Sequence, residues 1–137
     1  LTIENRDQWV AALKSDLGKN PAEAETSEII MLEGEIAHAL SNVAAWMADE
    51  PLPSSAALMP MRSRVRHEPR GVALVIGPSN YPLNISLGPL CGALSAGCPA
   101  VLKPSELCPA TAAMMVETAA MVESMRSGGP VRAGAAI

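Results

Sequence analysis

Between Asp7 and Leu17, the apolar residues Val10, Leu13 and Leu17 fall at helical spacing before Gly18 and Pro21 interrupt, which predicts a short amphipathic helix. From Glu25 to Asp49, Ile29, Ile36, Leu40, Val43 and Met47 recur in steps near three and four. Glu28, Glu33, Glu35, Asn42 and Glu50 fall mostly elsewhere, so the pattern predicts a long helix covering something with one face. Three prolines and two adjacent serines between Glu50 and Pro60 leave no sustained period, as in a connector laid over a surface. Met61 to His67 alternates weakly, with Arg62, Arg64 and Arg66 on one side, and reads as an edge strand. A solvated face suits that arginine row better than an anion site.

From Gly71 onward the pattern sharpens. Val72–Ile76 is a continuous β-favouring run, expected as a buried strand, and Leu83, Leu87, Leu90 and Leu94 then mark a helix from Leu83 to Ala96. Gly97 stops that helix, and Ala100–Leu102 makes a second buried strand. Pro109 opens a further helix carrying Ala112, Met115, Val116, Ala119 and Val122. The fold class is therefore α/β: a β-α-β-α core over residues 68–126 with a parallel strand pair and a right-handed crossover. It is preceded by a helical segment (1–50) and a connector with an edge strand (51–67), and followed by a Gly/Ala/Pro-rich tail (127–137). Two strands are few for a doubly wound sheet, so the architecture reads as cut short.

Composition narrows the function. The chain has 137 residues and 49% hydrophobic content, enough for one domain. Phenylalanine is absent and eight methionines are present, which predicts a soft core. A net charge of −4 without a basic stripe argues against nucleic acid as a partner. Cys91, Cys98 and Cys108 lack metal or redox spacing and are expected to be reduced and buried, with no metal site. Every apolar stretch is broken well before the ~18 residues of a membrane span, and no charged leader precedes an apolar segment, so a soluble cytoplasmic chain is the expectation.

Candidate chemistry lies at the two strand ends, since ligands of open α/β sheets bind outside the carboxyl ends of strands. Gly77-Pro78-Ser79-Asn80 places a primary amide just beyond the first strand. Asn80 either donates its NH₂ to a developing oxyanion or supports the turn through its own backbone, and the residues alone favour the turn. Ser79 has no His/Asp constellation and receives no nucleophilic role. At the second strand end, Lys103 and Glu106 either clamp neighbouring hydroxyls such as those of a ribose, or serve as a surface charge and a helix start. Neither Gly-x-Gly-x-x-Gly nor Gly-x-x-x-x-Gly-Lys occurs, which argues against ordinary dinucleotide-loop and P-loop readings.

Three segments in order and spacing carry a resemblance: Pro69-x-Gly-Val-x-Leu-x-Ile-Gly-Pro-x-Asn-Tyr-Pro82, Gly92-Ala-Leu-x-Ala-Gly97 and Val101-Leu-Lys-Pro-Ser-Glu106. Together they resemble the coenzyme-binding half of NAD(P)-dependent aldehyde dehydrogenases, in particular the branch of class-three and fatty-aldehyde enzymes. Lys14-Ser-Asp-Leu17 and Leu32-Glu-Gly-Glu-Ile36 look like that family's amino-terminal part. The resemblance implies a partial Rossmann-like coenzyme-binding domain that takes NAD, with NADP left open although Glu106 would repel a 2′-phosphate. It implies that Asn80 helps stabilise the oxyanion, that Lys103 and Glu106 contact the adenosine ribose, and that Ile76, Gly77 and Pro78 line the coenzyme cleft. Tyr81 and Pro82 would shape the start of the next helix.

The family oxidises aldehydes to carboxylic acids through a cysteine thiohemiacetal, with hydride passing to the nicotinamide and a glutamate base assisting hydrolysis. By resemblance the substrate is an aldehyde, and a homodimer or a related subunit is the expected partner. Ser79 stands where the family usually has Trp, none of the three cysteines matches the nucleophile motif, and the tail after Ser127 departs from the family pattern. The chain is thus expected to be an amino-terminal fragment, inactive alone, with a non-catalytic fragment that docks onto a related subunit as the alternative.

Overall fold

A computed structural model describes residues 4–127; the tail from Gly128 lies outside the described residues. Helix α1 (Arg6–Leu17) ends where predicted, because Gly18 takes a left-handed φ of 66° and donates its N–H to the Lys14 carbonyl at 2.9 Å. The chain then restarts at α2 (Pro21–Ala24), with Asn20 Oδ1 accepting from Ala22 N at 2.9 Å and Pro21 in the first turn.

Helix α2 runs through a π-helical segment, Glu25–Ile29, into α3 (Ile30–Trp46). Thr26 and Ser27 hydroxyls donate to the Ala22 and Glu23 carbonyls at 2.8 and 2.6 Å, drawing acceptors away from the regular ladder where the helix widens. Glu28 and Ile29, adjacent in sequence, are both fully buried there. Strands β1 (Glu50–Leu52) and β2 (Ser63–Val65) form a small antiparallel ribbon, and β3 (Ala73–Ile76) pairs in parallel with β4 (Ala100–Lys103). Between the latter runs α4 (Asn84–Ser95), and α5 (Pro109–Ser127) follows β4. The parallel pair, the crossover helix and the helix opening at Pro109 stand as the sequence predicts.

Trp9 and Leu13 of α1, Ala24, Ile29 and Leu32 of the α2–α3 rod, Leu83 and Met115 form the core. Leu102, Leu87 and Ile36 pack against it. The amino-terminal helices therefore supply five of these seven core residues and are no appendage. Burying side chains of this size contributes roughly 1.5–3 kcal/mol each.

Several expectations are corrected. Glu50–Pro60 contains β1 as well as a connector, because its residues pair with Ser63–Val65 in the register Glu50↔Val65. The strands β3 and β4 are amphipathic in their environment rather than buried: Val75 lies inward while Leu74, Ile76 and Val101 are more than half exposed. The face that carries them has no covering element among the described residues. Leu40 and Met47 on the expected apolar stripe of α3 are exposed, since the stripe leaves the core after Ala39. Only Cys108 is buried; Cys91 and Cys98 are partly exposed, and all three are free.

Candidate functional site

The β3–β4 register sets Ile76 opposite Lys103, so both turns of interest leave the same edge of the sheet. Gly77 N donates to the Lys103 carbonyl at 2.9 Å, extending the ladder by one bond into the first turn. Gly77 is buried, and a Cβ at this position would stand 2.0 Å from Ser86 Oγ and 3.1 Å from Ser86 Cβ. Strand and helix approach too closely there for any side chain, which is why the turn needs glycine. Pro78 is half-buried, and the Asn80 side chain is exposed just beyond it.

At the second strand end Lys103 Nζ donates to Glu106 Oε2, and both side chains are largely exposed. The Lys103 hydrogen bond, aided by a backbone amide and the ammonium charge, holds the Glu106 carboxyl below its usual range. Ser105 is buried, and its carbonyl accepts from Cys108 N at 3.2 Å to close the turn. Cys108 Sγ lies 3.5 Å from the Ser79 carbonyl and ties the second turn to the first. Burial, followed by the charges of Asp16 and Glu28, pushes the Cys108 thiol upward, so it is a packing group rather than a reactive one. The structure thus brings Ile76, Gly77, Pro78, Lys103 and Glu106 to one sheet edge, with Asn80 beside them.

Sequence reasoning missed the two carboxylates beneath this edge. Glu28 is fully buried; its Oε2 accepts from Leu83 N at 2.8 Å and Asn84 N at 3.1 Å, while Oε1 pairs with Lys19 Nζ at 2.5 Å. Asp16 does the same for α5, accepting from Ala110 N at 3.0 Å, Thr111 N at 2.7 Å and Thr111 Oγ1 at 2.8 Å. Each helix that follows a site turn therefore has two of its first amides satisfied by an acid from the amino-terminal layer, where the helix dipole also favours negative charge. Lys19 Nζ sits 4.0 Å from the centre of the Tyr81 ring, a cation–π contact next to Asn80.

Two grooves among the described residues lie elsewhere. One of about 1030 Å³ runs past Trp46, Glu68 and Leu94, and one of about 450 Å³ separates α3 from α4. Neither is lined by Asn80 or Lys103, which are exposed at the strand ends. Among the described residues there is no cluster of metal-ligating side chains, and no helix is long and apolar enough to cross a membrane.

The family model described as "Aldehyde dehydrogenase family" matches residues 1–125. Human aldehyde dehydrogenase family 3 member B1 is 47% identical over 104 residues, covering 76% of this chain and 22% of the relative. Family 3 member H1 of Arabidopsis thaliana is 44% identical over 108 residues, covering 79% and 22%. The chain thus spans less than a quarter of the length of these curated relatives. Among solved structures, the substrate-bound state of Staphylococcus aureus AldH superposes with a TM-score of 0.78 at 35% identity, over 84% of this chain and 25% of that one. The glyceraldehyde-3-phosphate dehydrogenase GapN of Methanocaldococcus jannaschii, complexed with NADP, gives a TM-score of 0.78 at 25% identity over 95% and 27%. With its strand-end turns, the helices that follow them and nearly all its length matched, the chain belongs to the aldehyde dehydrogenase family.

Proposed function

We propose that this chain provides the ribose clamp and the oxyanion-stabilising amide of an NAD(P)-dependent aldehyde dehydrogenase. The observation that carries the reading is the meeting at one sheet edge of an exposed Lys103–Glu106 pair with the Gly77–Asn80 turn. An ammonium donor and a carboxylate acceptor, three residues apart and open to solvent, suit two vicinal hydroxyls, so the residues present fit the ribose of a nicotinamide coenzyme. When bound, that coenzyme supplies the hydride acceptor. Ile76 and Pro78 form the apolar floor beside the clamp, and the lack of a side chain at Gly77 keeps the turn close to α4. Asn80 donates its amide N–H to the oxygen that gains charge when a nucleophile adds to an aldehyde carbonyl. The Glu106 charge disfavours a 2′-phosphate, which makes NAD the preferred coenzyme.

Thermal unfolding with and without coenzyme tests the clamp. Ligand at a hundredfold over Kd stabilises a binding-competent fold by about 2.7 kcal/mol. NAD is expected to raise the midpoint more than NADP, and Glu106→Ala to abolish the rise. A cooperative transition that neither coenzyme moves would remove the reading. A second reading, a non-catalytic piece that docks onto a related subunit, is favoured by the exposed Leu74, Ile76 and Val101 on a parallel sheet, a sheet type normally covered on both faces. Light scattering decides it: a monomer that binds no related subunit at micromolar concentration sinks it.

A further inference from the structure

The turn that carries Asn80 leads directly into α4, where Ile85 N finds the Tyr81 carbonyl at 3.1 Å but the amides of Leu83 and Asn84 have no capping side chain nearby, since Leu83 at the N-cap position offers no side-chain hydrogen bond. The acceptor arrives from the π-helical segment, 55 residues earlier in the chain, as the Glu28 carboxylate. A local Ser or Asp satisfies such amides at no burial cost, whereas a buried ion pair carries a desolvation penalty of several kcal/mol per ion. What the distant acid gains is location, because it fixes the start of α4 to the amino-terminal layer. Its ion-pair partner Lys19, only 8% exposed, holds the Tyr81 ring as well. One buried pair thus grips the residue after Asn80 and the two amides that follow Pro82. On the other side of the turn, Gly77 N and the Ser79 carbonyl are held by the Lys103 carbonyl and Cys108 Sγ.

We propose that Glu28 is a positioning residue for aldehyde oxidation: through the amides of Leu83 and Asn84, and through Lys19 on Tyr81, it sets where the Asn80 amide stands. The inference rests on the reading of Asn80 as the oxyanion donor. An amide displaced by a fraction of an ångström still leaves the coenzyme clamp at Lys103 and Glu106 intact, so the damage belongs to turnover rather than to coenzyme affinity.

The test is a double-mutant cycle on kcat in the complete aldehyde dehydrogenase polypeptide that carries these residues. Glu28→Gln, nearly isosteric and uncharged, is expected to lower kcat at least about tenfold while the coenzyme KM stays within about twofold. Asn80→Ala is expected to lower kcat, and Glu28→Gln added to it should lower kcat no further, since the misplaced group is already gone. If the two losses multiply, or Glu28→Gln leaves kcat unchanged, the positioning role is overturned while Asn80 keeps its own. If Asn80→Ala leaves kcat unchanged, the oxyanion reading falls and the positioning role falls with it. Should Glu28→Gln fail to fold, Tyr81→Leu carries the same cycle from the outer end of the network: a loss absorbed by Asn80→Ala supports the proposal, and multiplying losses overturn it.

Discussion

Gly77→Ala is the sharpest probe of how the strand end is built. The added Cβ would meet Ser86 Oγ at 2.0 Å, Ser86 Cβ at 3.1 Å and the Lys103 carbonyl at 3.7 Å. The last is an ordinary contact. The first forces Ser86 to turn its hydroxyl aside or β3 and α4 to separate, and the second remains after the hydroxyl has turned. Ser86 is fully buried, so there is little free volume to receive the displaced group, and among the described residues its Oγ has no hydrogen-bond partner. Overpacking of this kind costs about 1–3 kcal/mol. In a domain near this size that corresponds to a midpoint lowered by roughly 4–12 °C. Urea or thermal unfolding measures the cost, and a cycle with Ser86→Gly identifies its source. In the Ser86→Gly background both close contacts vanish, so Gly77→Ala should cost at least about 1 kcal/mol less than it does in the wild-type background. An equal cost in the two backgrounds would refute the steric argument, as would a wild-type cost below about 0.5 kcal/mol, the ordinary range for an innocuous substitution.

Three further outcomes follow from the same geometry. Asp16→Ala removes the acceptor of three hydrogen bonds at the start of α5 and should destabilise the chain by about 1–3 kcal/mol in urea unfolding; an unchanged midpoint would show that the cap is dispensable. The Glu106 carboxyl is held low chiefly by its hydrogen bond from Lys103, so whatever stability the contact contributes is present above the unfolded-state pKa and lost as pH falls through the lower folded one. In an NMR titration, Lys103→Met should move the Glu106 midpoint upward, and an unmoved midpoint would reject that cause. Alkylation followed by mass spectrometry should label Cys91 and Cys98 well before Cys108, whose thiol is buried and pushed upward; first labelling at Cys108 would contradict its placement.

The elements that position the site were legible wherever the deciding interaction is local. Gly18 and Gly97 close helices because each adopts a positive φ, and Pro109 opens one because a first-turn proline forfeits no hydrogen bond. The apolar runs at Val72–Ile76 and Ala100–Leu102 marked two strands in parallel, but they also implied cover on both faces, whereas Leu74 and Val101 lie open. Hydropathy reports what a strand is suited to, not which neighbours are present. The long α3 stripe misled for a related reason: periodicity fixes which residues share a face but not how far along the helix the partner layer extends.

Glu28 and Asp16 escaped the sequence reading because an acid on a helix is assigned to the solvated face, and the amides they accept from lie 55 to 95 residues away. Yet an accounting of backbone donors would have pointed to them. Every helix start leaves several N–H groups without an intrahelical acceptor, and α4 begins after Tyr81-Pro82-Leu83 with no Ser, Thr, Asp or Asn at its cap. At α5 the residue before Pro109 is Cys108, a weak acceptor. Two uncapped starts next to two candidate site turns call for two acceptors from elsewhere in the chain. The amino-terminal segment is rich in acids, and two of them, each flanked by an apolar residue (Asp16-Leu17 and Glu28-Ile29), answer that need. The same accounting explains why the amino-terminal layer belongs with the β3–β4 half: without its carboxylates, the Leu83, Asn84, Ala110 and Thr111 amides would be buried or half-buried donors without partners, each costing about 1–3 kcal/mol.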